Sequence, residues 1–189
     1  MIHPKPTKAE IQAAYGKCVP DIIAPNLQVL FCGINPSLYS AAVGHHFARP
    51  GNQFWKTLHH AGFTDRLLNP IEDRELLPGG FGVTNIVDRA TARADELQPQ
   101  ELLAGCQQLI AKVKHYQPRI LAILGISAYR TAFNQPKAVM GQQPEPLHSS
   151  LVWVLPNPSG LNAHYQLDGL AQVYRELLMT IDAVNEEKG

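Results

Sequence analysis

The stretch Gln28-Val-Leu-Phe-Cys-Gly33-Ile34-Asn35-Pro36 decides the fold. Its first half is short and almost wholly apolar, the pattern of a strand buried on both faces. It then leaves the strand abruptly. Gly33 permits backbone conformations closed to other residues, while Pro36 fixes its own φ and restricts Asn35 before it. An asparagine held this rigidly at a strand end is well placed to orient a water. A plain Asn-Pro turn is an equal reading of these residues alone.

Similar runs recur along the chain. Phe81-Gly-Val-Thr-Asn-Ile-Val87, Arg119-Ile-Leu-Ala-Ile-Leu-Gly125 and Leu151-Val-Trp-Val-Leu155 all read as strands. Helical patterns lie between and around them. Thr7 with Glu10 forms a capping box for a short helix to about Tyr15. Asn52 caps a helix through about Ala61, and Asn69-Pro70 starts another. An amphipathic helix is expected over Pro99–Tyr116, with Leu102, Leu109, Ile110 and Val113 inward. A short one follows from about Ser127, and the last spans roughly Leu167–Val184. The segments from Ile34 to Tyr39 and from Gly44 to Trp55 read as loop. Apolar strands alternating with helices indicate an α/β domain whose sheet is covered on both faces. In such sheets ligands bind beyond the carboxyl ends of the strands, which places a site between the loops 33–47 and 156–162.

Composition narrows the class. The chain has 189 residues, 45% hydrophobic and 17% charged, suiting one globular domain preceded by a helical extension over residues 1–20. Sixteen basic and sixteen acidic residues balance, which argues against a protein that coats DNA by neutralising many phosphates. A local basic patch stays compatible with that balance. Cys18, Cys32 and Cys106 form neither a zinc pattern nor a disulfide framework, so a reducing cytoplasm is expected. No membrane span, metal or cofactor is expected, and Walker, Rossmann and nucleophile-elbow signatures are lacking. The adjacent His45 and His46 would not readily face one metal.

The run Gly44-His-His-Phe-Ala-Arg-Pro-Gly-Asn-Gln-Phe-Trp55 is rich in aromatic and polar groups. Phe47 there suits stacking on a flat heterocycle, although a core position is the favoured reading of the residue by itself. Together, Gly33-Ile-Asn-Pro36, the Gly44–Trp55 run, Val83-Thr-Asn85 and Asn157-Pro-Ser-Gly160 resemble the mismatch-specific uracil/thymine DNA glycosylase family. The resemblance runs from about Asp21 to Leu178, with the motifs in the same order.

That resemblance implies a three-layer α/β/α uracil-DNA-glycosylase-like fold with a short, mostly parallel sheet. It implies a cytoplasmic, monomeric, monofunctional glycosylase of base excision repair that hydrolyses uracil from G·U mispairs in double-stranded DNA. Asn35 would position the water, Ile34 would supply pocket backbone, and Phe47 would stack on the base. Ser40 would face the C5 edge and disfavour thymine, although one methyl alters pocket affinity by only about 1–3 kcal/mol. Asn85 would bond the pyrimidine edge or support the loop, and Thr91 would help hold the water; both also suit structural strand-end roles. Asn157, Pro158, Ser159, Gly160, Leu161 and Asn162 would form the loop that enters the duplex. There Leu161 fills the gap left by the flipped base, and backbone near Gly160 and Asn162 reads the widowed guanine. A hydrophobic staple for the last helix is the plainer reading of Leu161.

Two departures stand out: Ser37 occupies a position usually glycine, and Leu161-Asn-Ala-His164 lacks an arginine found nearby in several relatives. Asp88 is a rival general base, since an asparagine does not titrate near neutrality. An ion pair of Asp88 with Arg89 or Arg93 is the favoured reading. A non-catalytic binder of damaged bases and a nucleoside hydrolase are the competing functions.

Overall fold

A computed structural model describes residues 5–160 and 165–186, with side chains through residue 181. Five strands form one sheet in the order β2-β1-β3-β5-β4: β1 Val29–Gly33, β2 Phe81–Asn85, β3 Ile120–Leu124, β4 Gly141–Gln142 and β5 Leu151–Leu155. The neighbours β1/β2, β1/β3 and β3/β5 are parallel, and only the short β4 runs antiparallel, along β5. The helices are α1 Lys8–Gln12, α2 Leu38–Val43, α3 Phe54–Ala61, α4 Pro99–Tyr116, α5 Ile126–Ala132 and α6 Leu167–Glu186, with a 3-10 helix over Pro70–Gly79.

Strand alternation sends side chains to opposite faces and so builds two cores. Val29 and Phe31 face α3 and α6, whereas Leu30 and Cys32 face α4 and α5. Phe31 is fully buried, with Phe54 and Phe63 edge-on at 5.6 and 5.3 Å and Tyr174 stacked at 6.3 Å. A buried side chain of this size contributes about 1.5–3 kcal/mol. The result is the expected three-layer α/β/α arrangement.

The sequence-based boundaries hold for α4 and β5. The capping boxes at Thr7/Glu10 and Asn69/Glu72 are both formed. The N-cap of α3 is Gln53 rather than the expected Asn52 and has no side-chain cap bond, although Asn52 Oδ1 accepts the Phe54 amide at 2.9 Å. The expected strand to Val87 ends at Asn85, although the amides of Ile86 and Val87 still donate to the carbonyls of Gly33 and Ile34. Inside the segment read as loop, α2 forms because Ser37 caps it: its Oγ accepts the Ser40 amide at 3.1 Å, and Gly44 closes it in the left-handed region. The two-residue β4 was likewise not expected.

Candidate active site

Loops after β1, β2 and β5 converge on a cleft of about 280 Å³ at the carboxyl ends of these strands. It lies beside the point where the order reverses between β1 and β3, where open parallel sheets bind their ligands. Of the residues singled out in the sequence, Ile34, Asn35, Ser37, Ser40, Phe47, Asn85, Thr91, Asn157 and Ser159 all line it. Pro158 is buried and does not line it, and Leu161 and Asn162 lie outside the described residues.

The Asn35 amide has a fixed orientation. Its Nδ2 donates to the Arg89 carbonyl at 2.9 Å and to Thr91 Oγ1 at 2.8 Å. The Thr91 hydroxyl proton is itself committed to the Arg93 carbonyl at 2.7 Å, so Thr91 can only accept from Asn35. Turning the amide over would set its oxygen against two acceptors. Nδ2 is therefore spent on the β2 loop, and among the described residues nothing donates to Oδ1, which remains an acceptor for a ligand or water.

Phe47 sits at the rim with φ +52, an uncommon backbone state for a non-glycine residue. Its ring stacks on Phe54 at 4.0 Å, so the core backs one face of a ring that lines the cleft. Gly33 lies under both Phe47 and Asn85. A Cβ there would come within 2.5 Å of Asn85 Oδ1 and 3.3 Å of the Phe47 ring. Asn85 is 4% exposed at the end of β2, and its side chain has no hydrogen-bond partner among the described residues.

Ser37 and Ser40 spend their hydroxyls on the loop. Ser37 Oγ caps α2 and lies 3.1 Å from Ser40 Oγ, which accepts the Ala48 amide at 3.0 Å. The Ser37 side chain is thus turned towards its own helix. The loop around Phe47 is pinned further by His45 Nδ1 to Asp73 at 3.0 Å and by Trp55 Nε1 to the His46 carbonyl at 3.1 Å. His46 Nε2 lies 2.9 Å from the Pro20 carbonyl, and because a carbonyl only accepts, the proton sits on Nε2. Burial holds the His46 pKa below the ordinary imidazole value, partly offset by that hydrogen bond. His46, Arg49, Asn52 and Arg93 also line the cleft and were not singled out for this role. The aromatic and polar density of 44–55 was the available signal for the first three.

The loop after β5 is held from beneath. The Tyr174 hydroxyl donates to the Pro156 carbonyl at 3.1 Å, the Gln53 amide donates to the Pro158 carbonyl at 2.8 Å, and Asn157 Oδ1 accepts the Ser159 amide at 3.0 Å. Gly160 packs so closely on Gly51 that a Cβ there would collide with the Gly51 carbonyl.

Asp88 is placed elsewhere. It is not among the residues lining the cleft, its side chain is 44% exposed, and it lies 3.5 Å from Lys112 of α4. The expected pairing with Arg89 or Arg93 does not occur, because those arginines are engaged by Glu101 and Asp95 respectively. Lys112 also bonds Asp21 at 2.7 Å and Thr84 at 3.2 Å, tying α4 to the sheet edge. Among the described residues no group of three or more His, Cys, Asp or Glu is placed to hold a metal, and no helix is long and apolar enough to cross a membrane.

The arrangement of fold and cleft has known counterparts. The solution NMR structure of a candidate uracil DNA glycosylase from Methanosarcina acetivorans superposes with a TM-score of 0.55. It shares 19% identity over 86% of this chain and 98% of that one, a likeness of fold. The sequence pattern of the Uracil DNA glycosylase superfamily, whose members are DNA glycosylases, matches residues 20–178. That span contains all three loops of the cleft together with the sheet that carries them, and the chain belongs to the uracil DNA glycosylase superfamily.

Proposed function

We propose that this chain excises uracil from G·U mispairs in double-stranded DNA by base flipping and hydrolysis of the N-glycosidic bond. The observation that carries the reading is the fixed amide of the cleft-lining Asn35, with Nδ2 donating twice into the β2 loop and Oδ1 receiving no donor among the described residues. Cleavage leaves the sugar cationic and the departing uracil anionic. Oδ1 orients the attacking water, and its partial negative charge lies where the sugar becomes positive. Phe47, backed by Phe54, takes the face of the flipped base, while Asn85 meets the pyrimidine edge.

Ser40, held between Ser37 and the Ala48 amide, stands as a rigid wall against a C5 methyl, which favours uracil over thymine. Among the described residues the cleft contains no lysine amine to form a Schiff base, which supports hydrolysis alone. The loop after β5, braced by Tyr174 and Gly51, presents Asn157 to Gly160 towards the duplex. Leu161 enters the space left by the base, and backbone near Gly160 and Asn162 reads the guanine. The chain acts as a monomer in base excision repair.

The test is single-turnover excision on G·U, A·U, G·T and single-stranded uracil oligonucleotides, with abasic sites cleaved by alkali. G·U is cleaved fastest, Asn35→Ala lowers that rate by about 10²–10³-fold, and Asp88→Asn leaves both the rate and its pH profile unchanged. An acidic limb that disappears in Asp88→Asn would replace Asn35 with Asp88 as the group that activates water. No abasic product from any substrate refutes the enzyme.

A further inference from the structure

The segment between α1 and the sheet edge grips Ala90, the residue between the two that orient Asn35. Gly16, with φ +76, donates its amide to the Ala90 carbonyl at 3.0 Å, and the Ala90 amide donates to the Lys17 carbonyl at 2.8 Å. Both polar backbone groups of Ala90 are thus gripped by this segment. Ala14 and Val19 bury against Ala41 and Ala90 in a small separate core. The residues on either side of Ala90 are Arg89, whose carbonyl accepts from Asn35, and Thr91, whose hydroxyl accepts the second bond.

Side chains reinforce the grip. The Tyr15 ring lies 5.7 Å from the Arg89 guanidinium, and its hydroxyl accepts from Arg89 Nη1 at 3.2 Å. The remaining Arg89 nitrogens form a fork on Glu101 of α4, Nε at 2.5 Å and Nη2 at 3.1 Å. Arg89 therefore joins the N-terminal segment, the β2 loop and α4.

We propose that residues 14–20 form a positioning strap for the Asn35 amide, with Tyr15 and Arg89 as its positioning residues; the inference rests on the water-orienting reading of Asn35. If the strap loosens, the Arg89 carbonyl and Thr91 hydroxyl drift, and the amide loses the pair of acceptors that forces Oδ1 into the cleft. Substitutions at Tyr15 and Arg89 are expected to affect substrate binding little, because neither residue lines the cleft.

The test uses the full chain with Arg89→Met, Arg89→Lys and Tyr15→Ala, and Arg89→Met combined with Asn35→Ala. Excision of uracil from a G·U duplex is measured from below to above KM. Arg89→Met is expected to lower the saturating rate about tenfold, a fraction of what a 1 Å misplacement can cost, with KM nearly unchanged. Arg89→Lys recovers part of the loss, and Arg89→Met adds nothing once Asn35 is Ala, because both act through one amide. A wild-type rate in Arg89→Met, an equal loss in the Asn35→Ala background, or a loss confined to KM overturns the strap; the last would make Arg89 a DNA contact. If Arg89→Met fails to fold in a thermal melt, Tyr15→Ala at its 58% exposed site decides by the same rate-against-KM split. A near-wild-type Asn35→Ala refutes the reading beneath the strap, and the two failures are thereby distinguished.

Discussion

Replacing Gly33 by alanine tests how tightly the cleft residues Asn85 and Phe47 are set. The Gly33 backbone lies outside the left-handed region, so alanine meets no conformational penalty there and acts through its methyl alone. That methyl would sit 2.5 Å from Asn85 Oδ1, whereas ordinary contact begins near 3.4 Å. The difference requires Asn85 Oδ1 to retreat by about 0.9 Å, and the Phe47 ring at 3.3 Å allows almost no compensating shift. Only the far end of one side chain must move, so the stability cost falls at the low end of overpacking, about 1 kcal/mol. For a chain of this length that lowers Tm by about 2–4 °C. The effect on chemistry is larger, since a displacement near 1 Å at a positioned group can cost about 10²-fold in rate. The assay pairs a thermal melt with single-turnover excision on a G·U duplex at a temperature where both proteins are folded. The expected result is a small Tm change with a rate loss of at least tenfold. A rate within twofold of wild type, or a Tm loss large enough to account for all the missing activity, refutes the reasoning.

Tyr174→Phe removes the hydroxyl that holds the Pro156 carbonyl but keeps the ring stacked on Phe31. Leaving that buried acceptor unpaired should cost about 1–3 kcal/mol in denaturant melts, with duplex excision reduced because the loop after β5 loses its brace. An unchanged unfolding midpoint would show that the bond contributes nothing. The pH dependence of stability follows from His46. Its folded pKa lies below the ordinary 6.5 because of burial, so the unfolded chain binds the extra proton first as pH falls. Stability is full above about pH 6.5 and declines as pH drops towards the folded pKa. Melts of wild type and His46→Gln between pH 5 and 8 measure this, and a wild-type Tm that rises on acidification relative to His46→Gln contradicts the sign.

The sheet and long helices were legible because their signals are local. β1, β3 and β5 are apolar runs covered on both faces, and α4 has a proline in its first turn and an inward stripe through Leu109 and Val113. α2 escaped notice although Ser37 and Gly44 are a proper cap pair, because six residues carry too little periodicity to outweigh the Asn-Pro turn before them. β4 is two residues long and exists only through its pairing with β5. Asp88 shows the limit most directly. Sequence proximity favours Arg89 or Arg93, but α4 brings Lys112 to Asp88 and Glu101 to Arg89, so the partners change. The same holds across the cleft. Asn35 is oriented by Arg89 and Thr91, Phe47 is backed by Phe54, and the segment gripping Ala90 has no motif of its own because it acts mainly through backbone groups. Motifs therefore identify groups that line the cleft, whereas the groups that fix their geometry are dispersed and chosen by the fold. An Asn-Pro turn of the same sequence without a segment like residues 14–20 must fix its asparagine amide by other contacts.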